Sequence, residues 1–290
     1  AFDKGNSLFP LCSATGGDHY EIGAENSLCF TPLQRINEGS TEMAWAETWI
    51  ESLLELQGLT VLPAHREAIH QAMTGLATQP EHMRTLSHFM DTVQDLTLRQ
   101  ALAWYTQRGA MGDLLDARTD ALGSSRFVVF EMEELMKKGD RNLIPVLSYL
   151  FHRIEKALDG KPALLILDEA WVMLGHPVFR DKIREWLKVF RKANCAVVLA
   201  TQSLSDARNS GIMDVLMQSC PTKIYLPNRQ ARDDDEYAFY RGCGLNDRQI
   251  GILAHAVPKR DYYMVNPSGR RLFQLGLGPV ALSFVGVSDK

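Results

Sequence analysis

Residues 162–174 read PALLILDEAWVML. Residues 163–167 are apolar without alternation, the mark of a strand buried on both faces in a parallel sheet. Asp168 and Glu169 follow at once. Ligands of parallel sheets bind beyond the carboxyl ends of the strands, so this pair is expected at the functional edge. Two adjacent carboxylates beside a buried strand would cost on the order of several kcal/mol if desolvated and unpaired. The position therefore calls for water, a basic partner, or a metal ion with phosphate.

Four apolar residues and then Asp-Glu is the Walker B pattern. In it the Asp holds Mg2+, directly or through water, and the Glu orients or deprotonates an attacking water. The short pattern by itself fits equally well an Asp168 that caps the next turn beside a solvated Glu169.

Working outward from it, the chain alternates strands and helices. RFVVFEM is a short β-branched and aromatic strand. The helix after it carries Leu143, Leu147, Leu150, Phe151, Ile154 and Leu158 on one face. Then come ALLIL, a helix over roughly 178–192, the strand CAVVLAT, another helix, and the strand TKIYL. This predicts an α/β doubly wound core with a mainly parallel sheet. A right-handed crossover from 163–167 to 195–201 delivers Thr201 and Gln202 to the edge that holds Asp168. With strands about 4.8 Å apart, Gln202 would stand within ~5–10 Å of a metal at Asp168, depending on strand order. Its amide there senses a terminal phosphate or positions a water; the other reading is a Gln that caps the next loop. Arg191 and Lys192 end the intervening helix at the opposite edge, about 20 Å away at 1.5 Å per residue. They complement the helix dipole in solvent, or supply an arginine finger to a neighbouring subunit's site. Geometry alone favours solvent.

Residues 1–40 are turn-rich and read as short strands or a hairpin around Gly16-Gly17. Residues 41–122 read as helices. In WAETWIESLLEL, Trp45, Trp49 and Leu53 share one side and Ile50 and Leu54 widen the stripe; Pro63 and Pro80 punctuate later helices. The expected division is thus 1–40, the start of the core; 41–122, an all-α subdomain; and 123–290, the rest of the core. Asn246 to Gln249 is a capping-box pattern, and RDYYMVNP with RRLFQL predicts a terminal hairpin.

Composition excludes several classes. The formal net charge of -4 argues against a strongly basic nucleic-acid binder. Five cysteines without CxxC spacing read as reduced thiols of a cytosolic compartment. Eight histidines without HExxH spacing give no zinc site. The uncharged run 272–288 is broken by glycines and a proline and is too short to span a bilayer.

A phosphate loop needs GxxxxGK[ST] between a strand and a helix. The one Gly-Lys pair, Gly160-Lys161, is followed by Pro162, and Glu155 stands where the first Gly belongs. The strand-like opening AFDKG, with no initiating Met, predicts a fragment whose phosphate loop lies upstream of Ala1.

The stretch from PALLILDEAWVML through FRDKIREWLKVFRKANCAVVLATQSLSDA, with SCPTKIYLPN after it, resembles conjugal-transfer ATPases of the TrbE type. These belong to the type IV secretion ATPase family, related to the HerA and FtsK motors. AFDKGNSLFPL, GGDHYEIG, MGDLLDA and ELMKKGDRNLIPVLSYLFHRIEKAL resemble the same family, so the likeness runs through most of the chain. It implies a RecA-like P-loop NTPase core interrupted by an all-α subdomain, here N-terminally truncated. It also implies ATP hydrolysis with Mg2+ and assembly into a ring, a hexamer, with inner-membrane components of the secretion complex at the cytoplasmic face of the bacterial inner membrane. By resemblance Asp168 and Glu169 are the Walker B acids and Gln202 the glutamine of the TQS motif. Arg191 matches the RKxN arginine, which reverses the geometric preference in favour of a finger acting in trans. In LPNRQAR, Arg229 and Arg232 follow a strand at the nucleotide edge, in reach of nucleotide, a neighbouring subunit or water. Two other readings stay open: a non-hydrolysing assembly module, and a DNA-translocating motor of the HerA/FtsK type, which the net charge disfavours.

Overall fold

The structure, a computed structural model, describes residues 1–24, 28–123, 125–168, 177–201, 208 and 211–286. The chain divides into two compact units, one running from Phe2 to Ala157 and the other from Leu158 to Asp289.

In the first unit, β1 (Phe2–Asp3) and β2 (Asp18–Glu21) both pair in parallel with a central β3 (Val128–Glu131). Of the two readings of residues 1–40, the short strands form and, among the described residues, the hairpin does not. Parallel strands of one sheet need a crossover rather than a tight turn, and helix α1 (Phe9–Ala14) supplies part of it. Pro10 lies in the first turn of α1, where a missing N–H costs nothing, and the Asp3 carboxylate accepts the Leu8 N–H at 2.8 Å just before it. Gly17 then passes so close to the chain that a Cβ there would meet the Phe127 carbonyl at 2.6 Å. Register places Phe2, Phe130 and Tyr20 abreast. Their rings lie in a row with successive centroids 5.3 and 6.0 Å apart.

Among the described residues between β2 and β3 run five α-helices: α2 (Ser40–Leu56), α3 (Pro63–Ala77), α4 (Leu86–Thr92), α5 (Leu96–Leu102) and α6 (Gly112–Leu115). Pro63 opens α3. Thr85 caps α4, and Asp95 caps α5 by accepting the Thr97 N–H at 2.8 Å. The predicted α2 stripe is buried at Trp49, Ile50, Leu53 and Leu54. After β3 come α7 (Glu133–Lys137) and α8 (Asp140–Ala157). Helix α8 buries Leu143, Leu147, Leu150 and Phe151 as its periodicity demands. Pro145 sits inside it. A proline there lacks the N–H owed to the Arg141 carbonyl; the Tyr105 hydroxyl donates to that carbonyl instead, at 3.2 Å. The carbonyl of Pro145 in turn accepts the Trp49 indole N–H at 3.1 Å.

In the second unit, β4 (Ala163–Leu167) and β5 (Cys195–Leu199) are parallel neighbours, paired Ala163 to Cys195 through Leu167 to Leu199. Helix α9 (Pro177–Val189) lies between them in sequence. Phe179, Ile183, Trp186 and Phe190 are buried at helical spacing, and Trp186 stacks on Phe190 with centroids 4.8 Å apart. Helix α10 (Met213–Ser219) follows β5.

TKIYL departs from expectation. Its strand, β6 (Lys223–Tyr225), pairs antiparallel with β7 (Asp261–Asn266), which pairs antiparallel with β8 (Gly269–Gln274). A short apolar run marks a strand but not its partner, and the tyrosine-rich β7 takes it into a separate sheet. The β7–β8 hairpin forms as read, with Asn266 opposite Gly269. Helices α11 (Asp234–Gly242) and α12 (Asp247–His255) pack a small core of Ala231, Tyr240, Leu245, Ile250, Leu253 and Tyr263. The capping box is present: Asn246 accepts the Gln249 N–H at 3.0 Å, and the Gln249 side chain accepts the Asn246 N–H at 2.8 Å. A final helix, α13 (Pro279–Val285), was not foreseen and buries none of its residues. No described helix is long and apolar enough to cross a membrane.

Candidate functional site

Asp168 leaves β4 half-buried at its carboxyl end. The Ala200 N–H donates to the Leu167 carbonyl at 3.0 Å and closes the Leu167–Leu199 pair, the last of the ladder. By the same register Asp168 leaves its strand level with Ala200, and Thr201 follows one residue further on. Strand order, left open by the sequence, is direct adjacency. Glu169 and Gln202, which follow Asp168 and Thr201 in the sequence, lie outside the described residues.

Arg191 is exposed in the turn that follows α9. That turn is fixed: the Asn194 N–H donates to the Arg191 carbonyl at 3.3 Å, and the Asn194 carbonyl accepts the Ala163 N–H at 3.0 Å. Arg191 thus stands at the amino ends of β4 and β5, a full strand length, ~16 Å for five residues, from the edge where Asp168 emerges. Arg229 is exposed in the turn after β6. With β6 in the antiparallel sheet, this turn does not open from a parallel strand as the sequence implied. Arg232 is exposed as well, and its guanidinium lies over α12, where a Cβ at Gly251 would meet Nη2 at 2.7 Å.

The structure also reveals acids that sequence reasoning passed over. In the first unit Asp3, Glu131 and Glu21 stand level at the carboxyl ends of β1, β3 and β2. His19, two residues before Glu21, points to the same face. One ligand atom each of Asp3, His19 and Glu131 lies within 4.8 Å of the others, the one such His/Cys/Asp/Glu group among the described residues. The hydrogen bonds say what the two carboxylates do. Glu131 accepts the N–H groups of Gly5, Asn6 and Glu133 at 3.2, 2.7 and 3.0 Å. Asp3 accepts the Ser7 hydroxyl and the Leu8 N–H at 2.5 and 2.8 Å. Four consecutive residues, Gly5 to Leu8, are pinned in this way, including Asn6 in the left-handed region at φ 57°. Asp3 and Glu131 are anchors for the loop at the edge of the sheet. The signal was available: AFD and VVFE repeat the apolar-run-then-acid pattern that singles out Asp168.

Parallel strands joined through helices, with acids at the carboxyl edge, define an α/β protein whose ligand side is the carboxyl edge of its sheet. VirB4 of Thermoanaerobacter pseudethanolicus superposes over 97% of this chain and 82% of its own, with a TM-score of 0.72 at 17% identity. The plasmid coupling protein TrwB, in complex with the non-hydrolysable GTP analogue GDPNP, superposes over 96% of this chain and 78% of its own, with a TM-score of 0.58 at 12% identity. The TraG P-loop domain model matches residues 78–252, and the chain belongs to that family. It is 58% identical over its whole length to a probable conjugal transfer protein TrbE of Sinorhizobium fredii (strain NBRC 101917 / NGR234), and 57% identical to the conjugal transfer protein TrbE of Rhizobium radiobacter. It spans 44% and 36% of their respective lengths.

Proposed function

We propose that this chain is the motor portion of a type IV secretion and conjugation ATPase, which hydrolyses ATP with Mg2+ to power pilus assembly and substrate transfer. The observation that carries the reading is the exit of Asp168 at the carboxyl end of β4, directly beside the parallel strand β5, in a member of the TraG P-loop family. The donor chemistry suits the ion: a half-buried carboxylate at this edge is a fitting partner for a hard divalent cation. It does not suit the phosphates, since the sequence holds no GxxxxGK[ST] run; their cradle belongs to polypeptide outside these residues.

In this reading Asp168 holds Mg2+, Glu169 takes the proton of the attacking water, and Gln202 reads the terminal phosphate. Arg191 faces away from its own site and serves the neighbour's in a ring, which we take to be a hexamer. Arg229 contacts nucleotide, a neighbour or only water. Residues 41–122 form an all-α insertion in the core. The assembly works at the cytoplasmic face of the inner membrane with membrane components of the secretion complex.

The test compares Mg·ATP binding and turnover by the 290-residue chain with a longer polypeptide that carries a phosphate loop. The expected result is turnover by the longer form alone, abolished by Glu169→Gln with binding retained. Turnover by the short chain would overturn the assignment of the phosphate site. Inactivity of both, with folding intact, would favour a non-hydrolysing assembly module.

A further inference from the structure

The uncharged run 272–288, too short to span a bilayer, contains helix α13. It reads PVALSFV, apolar at every position but Ser283, and buries none of its residues. A helix apolar on all sides belongs in a protein core or in lipid. Six of the fifteen large apolar side chains exposed among the described residues lie within 272–285, and Val280, 75% exposed, is the barest of the fifteen. Single exposed apolar residues are ordinary, but a run of them marks a contact surface.

The exposed charges around this run have one sign. Over 257–288 the sequence holds a single acid, Asp261. It is buried, and it accepts the Val257 N–H and the Gln274 amide at 2.8 Å each and the Arg260 guanidinium at 3.3 Å. Lys259, Arg260, Arg270 and Arg271 are exposed. Asp261 pairs with Gln274, so one step on Arg260 stands level with Leu275, where the chain leaves β8 for α13. The helix begins five residues past Gln274, no more than about 18 Å of extended chain. In a chain of net charge -4 this stretch is the exception. Apolar side chains with cations beside them match an anionic bilayer surface, which takes the first at its acyl boundary and the second at its headgroups. Nucleic acid would use the cations and leave the apolar residues wet. A second copy on the same face would set cation against cation.

We infer that residues 257–285 form a docking surface for an anionic lipid bilayer, on which α13 lies at the headgroup–acyl boundary while Lys259, Arg260, Arg270 and Arg271 hold lipid phosphates. The stretch lies on the membrane without crossing it. A helix of seven residues buries little apolar area, so the contact is reversible and needs its apolar and its charged parts together. Which membrane it meets rests on the inner-membrane reading above; the binding does not.

The experiment floats the 290-residue chain, without nucleotide, on vesicles of phosphatidylglycerol with phosphatidylcholine and on vesicles of phosphatidylcholine alone. Expected are at least tenfold stronger partition to the anionic vesicles, a loss of at least tenfold when salt is raised from about 0.05 to about 0.5 M, and at least tenfold slower hydrogen exchange across 279–285 on the vesicle. Val280→Asp with Leu282→Asp should weaken partition at least tenfold, and so should Arg270→Gln with Arg271→Gln. All four side chains are exposed, so circular dichroism should find the variants folded. Leu96→Asp, at a site on α5 that is equally bare, should bind as the parent does. Failure to bind, equal binding to both vesicles, or binding indifferent to the α13 pair would overturn the proposal. So would an oligonucleotide that displaces the vesicles and binds the α13 variant as well as the parent, which would make nucleic acid the occupant, or self-association abolished by the α13 pair, which would make it a second copy. ATP turnover plays no part in this readout, so vesicle binding without turnover in any longer polypeptide would count against the nucleotide reading alone.

Discussion

Glu131→Gln tests the loop anchor at the edge of the first sheet. The native side chain is 4% exposed and accepts three backbone N–H groups, two on Oε1 and one, from Asn6, on Oε2. Gln keeps one acceptor. Turned toward Gly5 and Glu133, its oxygen retains two bonds but sets its NH2 group against the Asn6 N–H. Hydrogen bonds to a charged acceptor contribute roughly 1.5–3 kcal/mol each, neutral ones about 1, and a buried donor left unmade costs about 1–3. The lost Asn6 bond and the weakening of the other two come to about 3 kcal/mol, before any relaxation of the left-handed Asn6. Glu131→Ala removes all three acceptors and should cost more. Urea unfolding followed by tryptophan fluorescence measures both, since Trp45, Trp49 and Trp104 lie in this unit. Hydrogen exchange at Gly5 and Asn6 should accelerate at least tenfold in Glu131→Gln. A stability change under about 0.5 kcal/mol with unchanged exchange at both residues would refute the anchor.

Three further outcomes follow from packing. Glu42 is buried against His152 at 2.8 Å and Lys156 at 2.5 Å. Burial raises its pKa, but the hydrogen bonds from Lys156 and His152 prevail and hold the carboxyl below its ordinary value; burial outweighs Glu42 and holds His152 below its own. For both groups the unfolded chain takes up protons first as pH falls, so stability present at neutral pH should decline below about pH 6.5 and again below about pH 4.5. His152→Gln should flatten the upper limb in unfolding titrations; an unaltered profile would contradict the assignment. Trp186→Ala removes a buried ring stacked on Phe190 and should destabilise the second unit by about 3–5 kcal/mol in denaturant melts. Gly112→Ala places a methyl group against the Thr106 carbonyl; backbone cannot yield as a flexible side chain does, and a loss of at least ~2 kcal/mol in thermal unfolding is expected.

How much of this was legible in the sequence depends on the length of the elements. ALLIL and CAVVL are five-residue apolar runs, and both strands, their parallel pairing and the helix between them lie where the pattern put them. β1 has two residues, too few for any periodicity, and β2 reads DHYE, polar enough to pass for a turn. Their carboxylates escaped notice for that reason, although each closes a strand as Asp168 does. The membership of β6 could not be read at all, because Lys223–Tyr225 says strand but only β7, about forty residues on, decides which sheet. Helix α13 hid in a glycine-rich apolar tail. Of the candidate site, Asp168 and Arg191 could be placed on opposite edges from the crossover alone. The neighbours Glu169 and Gln202 remain proposals of the sequence.

The proline in α8 bears on how this molecule can be cut. Its open carbonyl at Arg141 is filled by Tyr105, and its own carbonyl by Trp49, and both donors come from the helical stretch between β2 and β3. That stretch looks like a detachable insert, and a protein engineer would be tempted to swap it for a short linker. Excision would strip α8 of the Tyr105 donor at the one carbonyl, Arg141, that the helix cannot satisfy itself, and of the Trp49 bond at Pro145, in a helix that carries much of the unit's core. Chimeras that exchange the insert should therefore travel with residues 140–157, as one cassette.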